Sequence, residues 1–123
     1  MRKITYKAAR AFIEGRNFSS GNTSVRVERE TCDERPEKQL YLHGHLIAYY
    51  NDRPRVLTMS WHDKKGLYIT LAGWPTVTTR ERLNGLLTEL GKREGVWQHK
   101  HEQHYGTHEA NRIISSSEWI PVP

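Results

Sequence analysis

Apolar and polar positions change period several times along this chain, and each change marks an element. Around residues 5–15, TYKAARAFIEG, the residues Ile4, Ala8, Ala11 and Phe12 recur at helical spacing, with Lys7, Arg10 and Glu14 opposite them. Thr5 is placed to cap this helix and Gly15 to end it. RNFSSGNTS reads as a loop. TSVRVERE then alternates, with Val25 and Val27 inward and Arg26, Glu28 and Glu30 outward, the pattern of a half-buried strand. TCDERPEK, with Pro36, is a charged loop. QLYLHGHLIAYYND reads as two extended segments around Gly44. Arg53-Pro54 makes a turn, and RVLTMSW and LYITLAGW read as the two strands of a hairpin closed by HDKKG.

The period returns to helical in TTRERLNGLLTEL, where Leu83, Leu86, Leu87 and Leu90 form one stripe and Gly91 follows it. Thr78-Thr79-Arg80-Glu81 has the spacing of a capping box, with Thr78 as the cap and Glu81 reaching back to it. VWQHKH reads as a strand and EQHYGTHEANR as polar and irregular. In IISSSEWIPVP a last short strand is expected, with Pro121 at a sheet edge or strand end. Runs of strands between helices indicate an α+β fold. The expectation is a single domain over residues 1–123, a largely antiparallel sheet of about five strands with two helices packed on it.

Composition narrows the class. At 123 residues, with four Trp, six Tyr and two Phe, the chain can build a core and does not resemble a disordered one. Its mean hydropathy is −0.80, so its surface is polar. Cys32 is the single cysteine, a free thiol in a charged stretch, which points to a reducing cytoplasm. No apolar run reaches the roughly 18 residues of a membrane span, so no membrane partner is expected. The net charge of +5 permits contact with nucleic acid but excludes a mimic of DNA. The excess is thin: residues 1–38 carry a surplus of three positive charges, residues 39–77 of two, and residues 78–123 of none.

The start of the second helix is the first candidate site. A helix N-terminus offers N–H groups and a positive dipole end, to which Thr76, Thr78 and Thr79 add hydroxyls and Arg80 and Arg82 add guanidinium forks. That set suits a phosphate or a partner's carboxylate, with Lys92, Arg93 and Lys100 as further phosphate contacts. A glycine-rich phosphate loop is absent. His99, His101, His104 and His108, with Glu102 or Glu109, have spacings compatible with zinc, although HKHEQHYGTHE reads first as a polar surface loop. His43-Gly44-His45 is first of all a turn flanked by histidines. Tyr41, Tyr49, Tyr50, Tyr68, Trp61 and Trp74 fall on or beside strands, where most belong to the core, though a sheet face carrying them would stack bases. No nucleophile motif, paired-cysteine motif or dense carboxylate cluster points to an enzyme, and no cofactor is implied.

The segments GNTSV (21–25), LHGHLIA (42–48), AGWPTVTTRERLN (72–84) and EWIPV (118–122) together resemble a group of small proteins encoded by tailed bacteriophages. The resemblance covers most of the chain, with a gap at residues 26–39. This chain departs from the pattern at His45, where Asn is usual, and at Ile120-Pro121, which replaces one of an aromatic pair. HKHEQHYGTHEANR looks like an insertion. The resemblance implies no catalytic residue. Taken with the small size, the missing catalytic motifs and the content of aromatics and arginine, it leads to the expectation of a non-enzymatic accessory protein in the cytoplasm of the infected bacterial host, one that binds a host protein or defence complex and inhibits or redirects it. A small DNA- or RNA-binding protein is the alternative, and a zinc-dependent hydrolase a weaker one.

Overall fold

The computed structural model describes residues 2–28, 37–51 and 65–123. Among the described residues eleven elements follow one another: α1 (Lys3–Glu14), β1 (Phe18–Ser20), β2 (Thr23–Val27), β3 (Lys38–Leu42), β4 (His45–Asn51), β5 (Gly66–Ile69), α2 (Val77–Glu89), β6 (Gly95–His99), β7 (Glu102–Gly106), β8 (Asn111–Ile114) and β9 (Ile120–Val122). The strands form two antiparallel sheets, a six-stranded one in the order β1-β2-β3-β4-β5-β9 and a three-stranded one in the order β6-β7-β8. The fold is α+β, as the pattern of elements suggests. The expected RVLTMSW strand, the Arg53-Pro54 turn, Trp61, Pro36 and Cys32 lie outside the described residues.

Helix α1 ends at Gly15, whose φ of 70° lets its N–H and that of Arg16 fold back onto the carbonyls of Phe12 and Ala11. Its buried face, Thr5, Ala8, Ala9, Ala11 and Phe12, packs on α2 and on β2. Thr5 is not its cap. The N-cap is Arg2, without a side-chain bond, and Thr5 lies inside the helix with its hydroxyl committed elsewhere. Helix α2 buries Leu83, Leu86 and Leu87 completely, packs on α1, β6 and β4, and closes when Gly91 and Lys92 donate to the carbonyls of Thr88 and Leu87. The core therefore fills the space between both helices and one face of the large sheet.

Within that sheet, β3 and β4 are joined through His43 and Gly44, both at positive φ (51° and 78°). Their register shifts at Leu40/Tyr41, leaving Ile47 as an extra, fully buried residue between the paired positions Leu46 and Ala48. Strand β9 takes the edge beside β5, with Pro121 opposite Tyr68, as a residue without an N–H requires. Tyr49 and Tyr68 are stacked neighbours on β4 and β5, and Trp119 meets Tyr49 edge-on, so these rings serve packing and not an exposed platform.

The segment VWQHKHEQHYGTHEANR is more ordered than its polarity suggests. It folds as the β6-β7-β8 meander, with Val96, Gln103, Tyr105 and Ile114 turned inward. The turn between β6 and β7 is made by Lys100 and His101 at φ 50° and 67°, a conformation usually signalled by Gly or Asn.

Candidate functional site

The segment AGWPTVTTRERLN runs from the end of β5 into α2 and divides into two parts. The second part is internal. Arg82 is 3% exposed although it is charged. Its Nε donates to Thr23 Oγ1 (2.9 Å), and its Nη1 donates to Thr5 Oγ1 (2.6 Å) and Glu81 Oε1 (2.7 Å). Thr5 passes a hydrogen bond on to Glu81 (2.6 Å), and Thr23 passes one to Asn22 Oδ1 (2.8 Å). Arg2 adds an ion pair to the outer carboxylate oxygen of Glu81 at 3.4 Å. Burial pushes the Arg82 pKa down, against the Glu81 carboxylate, which raises it. Asn84 does the same kind of work without charge. Its side-chain amide donates to the Val96 carbonyl (2.8 Å) and accepts from the Val96 N–H (2.7 Å), joining α2 to β6.

These contacts correct the expected phosphate site. Arg82 faces the interior with its Nε and Nη1 held by protein partners, so it presents no fork to a ligand at the surface. Thr79 is also buried, and its N–H is taken by Thr76 Oγ1 at 3.2 Å. The cap of α2 is therefore Thr76, two residues before the expected Thr78, and Glu81 is drawn to Thr5 and Arg82 instead of closing a capping box. Arg80 is partly exposed and braces α2 against its surroundings, donating to the Pro75 carbonyl (2.9 Å) and to the side chains of Gln98 (3.3 Å) and Gln103 (3.1 Å). Lys92 reaches the main-chain oxygen of Pro123 (2.6 Å) from just beyond the far end of α2, whose last residue, Glu89, lies about 14 Å along the axis from Arg80. Arg93 follows it on the surface, and Lys100 sits in the β6–β7 turn. The cations named from the sequence are thus distributed and form no single patch.

The zinc arrangement fails for a similar reason. His101 and His108 sit in the turns at opposite ends of β7, about 16 Å apart along a five-residue strand. His104 is stacked on Trp97 (5.7 Å between ring centres) and meets His99 edge-on at 6.3 Å. Among the described residues no three His, Cys, Asp or Glu side chains converge as a metal site.

The first part of the segment has the opposite character. Trp74 is 56% exposed and Val77 70% exposed. The backbone that presents Trp74 is fixed: its N–H donates to Leu71 (2.9 Å), the Gly73 N–H to Ser116 (2.7 Å), and the Thr76 N–H back to Trp74 (2.8 Å). The indole lies 5.7 Å from the His45 ring, tilted by 38°. Between them opens a cavity of about 450 Å³. Leu42, Ile47 and Leu71 contribute its buried apolar wall, and His43, His45, Thr76, Thr78 and Thr79 its polar groups. Of the lining residues, the sequence points to Thr76, Thr78 and Thr79, whereas His43, His45 and Trp74 read there as turn and packing residues. The available signal was that LHGHLIA and AGWPTVTT each break from a strand at a glycine turn, which brings both turns to the same end of the sheet.

No described helix is long and apolar enough to cross a membrane. No curated protein matches this chain, and no solved structure does. A protein family does, over residues 1–121 and so across both sheets, both helices and the Trp74 cavity: the chain belongs to the Kyanoviridae Gp96 protein family, a family of bacteriophage proteins.

Proposed function

We propose that this phage protein works by binding, not catalysis, and that its target in the infected cell is a host protein or defence complex that it inhibits or redirects. The observation that carries this reading is a rigidly held, exposed Trp74 beside an apolar cavity, with exposed Val77 following at the start of α2. A large aromatic on a fixed backbone loses little freedom on binding, and tryptophan is enriched among the residues that dominate protein interfaces. The nucleic-acid alternative has less support, because Arg82 is internal and Arg80 is engaged by Pro75, Gln98 and Gln103.

The test is photo-crosslinking in host cells, with p-benzoylphenylalanine at Val77 and, as a control, at exposed Thr88 near the other end of α2. The expected result is a discrete protein adduct from position 77 that is missing from position 88 and lost with Trp74→Ala. Equal adducts from both positions would remove the reading. So would tight binding of labelled DNA or RNA that persists at physiological salt.

A further inference from the structure

We propose that the Trp74 cavity receives one neutral aromatic side chain with a polar tip, a tyrosine or tryptophan presented by the protein partner. This rests on the protein-binding reading above and adds the chemistry of what is bound. Three observations lead to it. The cavity, about 450 Å³, has the size of a site for a small organic group, and its inner wall is the buried aliphatic set Leu42, Ile47 and Leu71. One side is lined by two flat rings, Trp74 and His45, tilted to each other at 38°, so a third ring can pack against them edge-on or offset. None of the described residues lining it is Lys, Arg, Asp or Glu. A charged occupant would lose its hydration and gain no counter-charge.

The polar groups that line the cavity are the hydroxyls of Thr76, Thr78 and Thr79 and the imidazoles of His43 and His45. The Thr76 and Thr79 hydroxyls bond each other at 2.9 Å, so Thr78 and the two imidazoles are the groups left to donate to or accept from an occupant. A phenol O–H or an indole N–H finds a partner among them, whereas leucine or phenylalanine leaves them unanswered. A nucleobase has a comparable ring, but its edge carries several ring nitrogens and amino or carbonyl groups, which the aliphatic wall of Leu42, Ile47 and Leu71 would leave unpaired. The walls are also preset. His43 and Ala72, both lining the cavity, hold φ of 51° and 54°, a conformation that side-chain-bearing residues adopt at a cost and that concentrates at functional sites.

The experiment titrates the whole protein with N-acetyl-tyrosinamide and N-acetyl-tryptophanamide, with N-acetyl-leucinamide and adenosine as comparisons. The readout is the NMR shift of the Trp74 indole N–H and the His45 ring. The aromatic amides are expected to move both signals at concentrations several-fold below those needed for the leucine amide or adenosine. Thr78→Trp, which fills the cavity, should abolish the shifts and also the Val77 adduct in cells. His45→Ala, at an exposed position, should weaken amide binding with the fold intact, which covers the case in which Thr78→Trp does not fold. No shift with the aromatic amides, or a preference for adenosine, would overturn the proposal. A Val77 adduct that persists in Thr78→Trp would overturn it while leaving the protein-binding reading in place. Amide shifts without any Val77 adduct would overturn both.

Discussion

Arg82 and Trp74 belong to one continuous stretch of chain and have opposite fates. The charged residue is inside, 3% exposed, with its Nε and Nη1 engaged, and the large apolar residue is outside, 56% exposed, over a cavity. A polarity scale would place them the other way round. What decides is the number of partners the fold supplies. Two threonine hydroxyls and a carboxylate converge on Arg82, and each hydroxyl accepts from the guanidinium while donating onward, so a buried charge is tolerated. Trp74 is held outward by main-chain bonds on both sides, with no comparable packing over its ring. One half of the segment therefore joins α1, β2 and α2, and the other half is left available.

That contrast can be broken most severely at Arg82. Arg82→Ala strips Thr5, Thr23 and Glu81 of their shared donor and should lower the free energy of unfolding by about 3–5 kcal/mol, read from urea denaturation. Asn84→Ala leaves the Val96 N–H and carbonyl unpaired where α2 meets β6, and should cost about 2–3 kcal/mol in the same measurement. A finer comparison separates the two candidate caps. Thr76→Ala should cost about 1 kcal/mol, and Thr78→Ala no more than about 0.5 kcal/mol; the reverse order would mean that α2 begins at the later threonine. Trp74→Ala should change stability least, within about 0.5 kcal/mol, while removing partner capture; a large loss of stability there would mean that the indole is a packing residue after all.

Much of the fold was legible where local chemistry and burial agree. Gly15 and Gly91 end their helices, Leu83, Leu86 and Leu87 of the leucine stripe are buried, His43-Gly44 turns β3 into β4, and Pro121 marks an edge strand. The first strand of the small sheet was legible in VWQHKH, but β7 and the start of β8 were not, because their outer positions are polar or half-exposed and the turn before β7 uses Lys100 and His101 where Gly or Asn would announce it. The inward direction of Arg82 was visible in principle. It stands four residues before Leu86 and three after Thr79, on the same side of the helix as the buried stripe. The cap was misplaced because Thr76 and Thr78 offer the same hydroxyl, and only the path set by Pro75 distinguishes them. The cavity was hidden because it joins residues from two turns far apart in sequence, and neither turn carries a mark of it alone.

Strand β9 has a consequence for the order in which this molecule can form. Leu67 and Ile69 of β5 pair with Val122 and Ile120, so everything from α2 to β8 is an excursion enclosed by one pairing. The ends of so long a loop must meet before that edge exists, and such contacts are entropically costly and slow to form. During synthesis, β5 leaves the ribosome well before its neighbour and presents an unfilled edge until the excursion has been made and folded. That interval is when the growing chain is most open to pairing with the wrong strand.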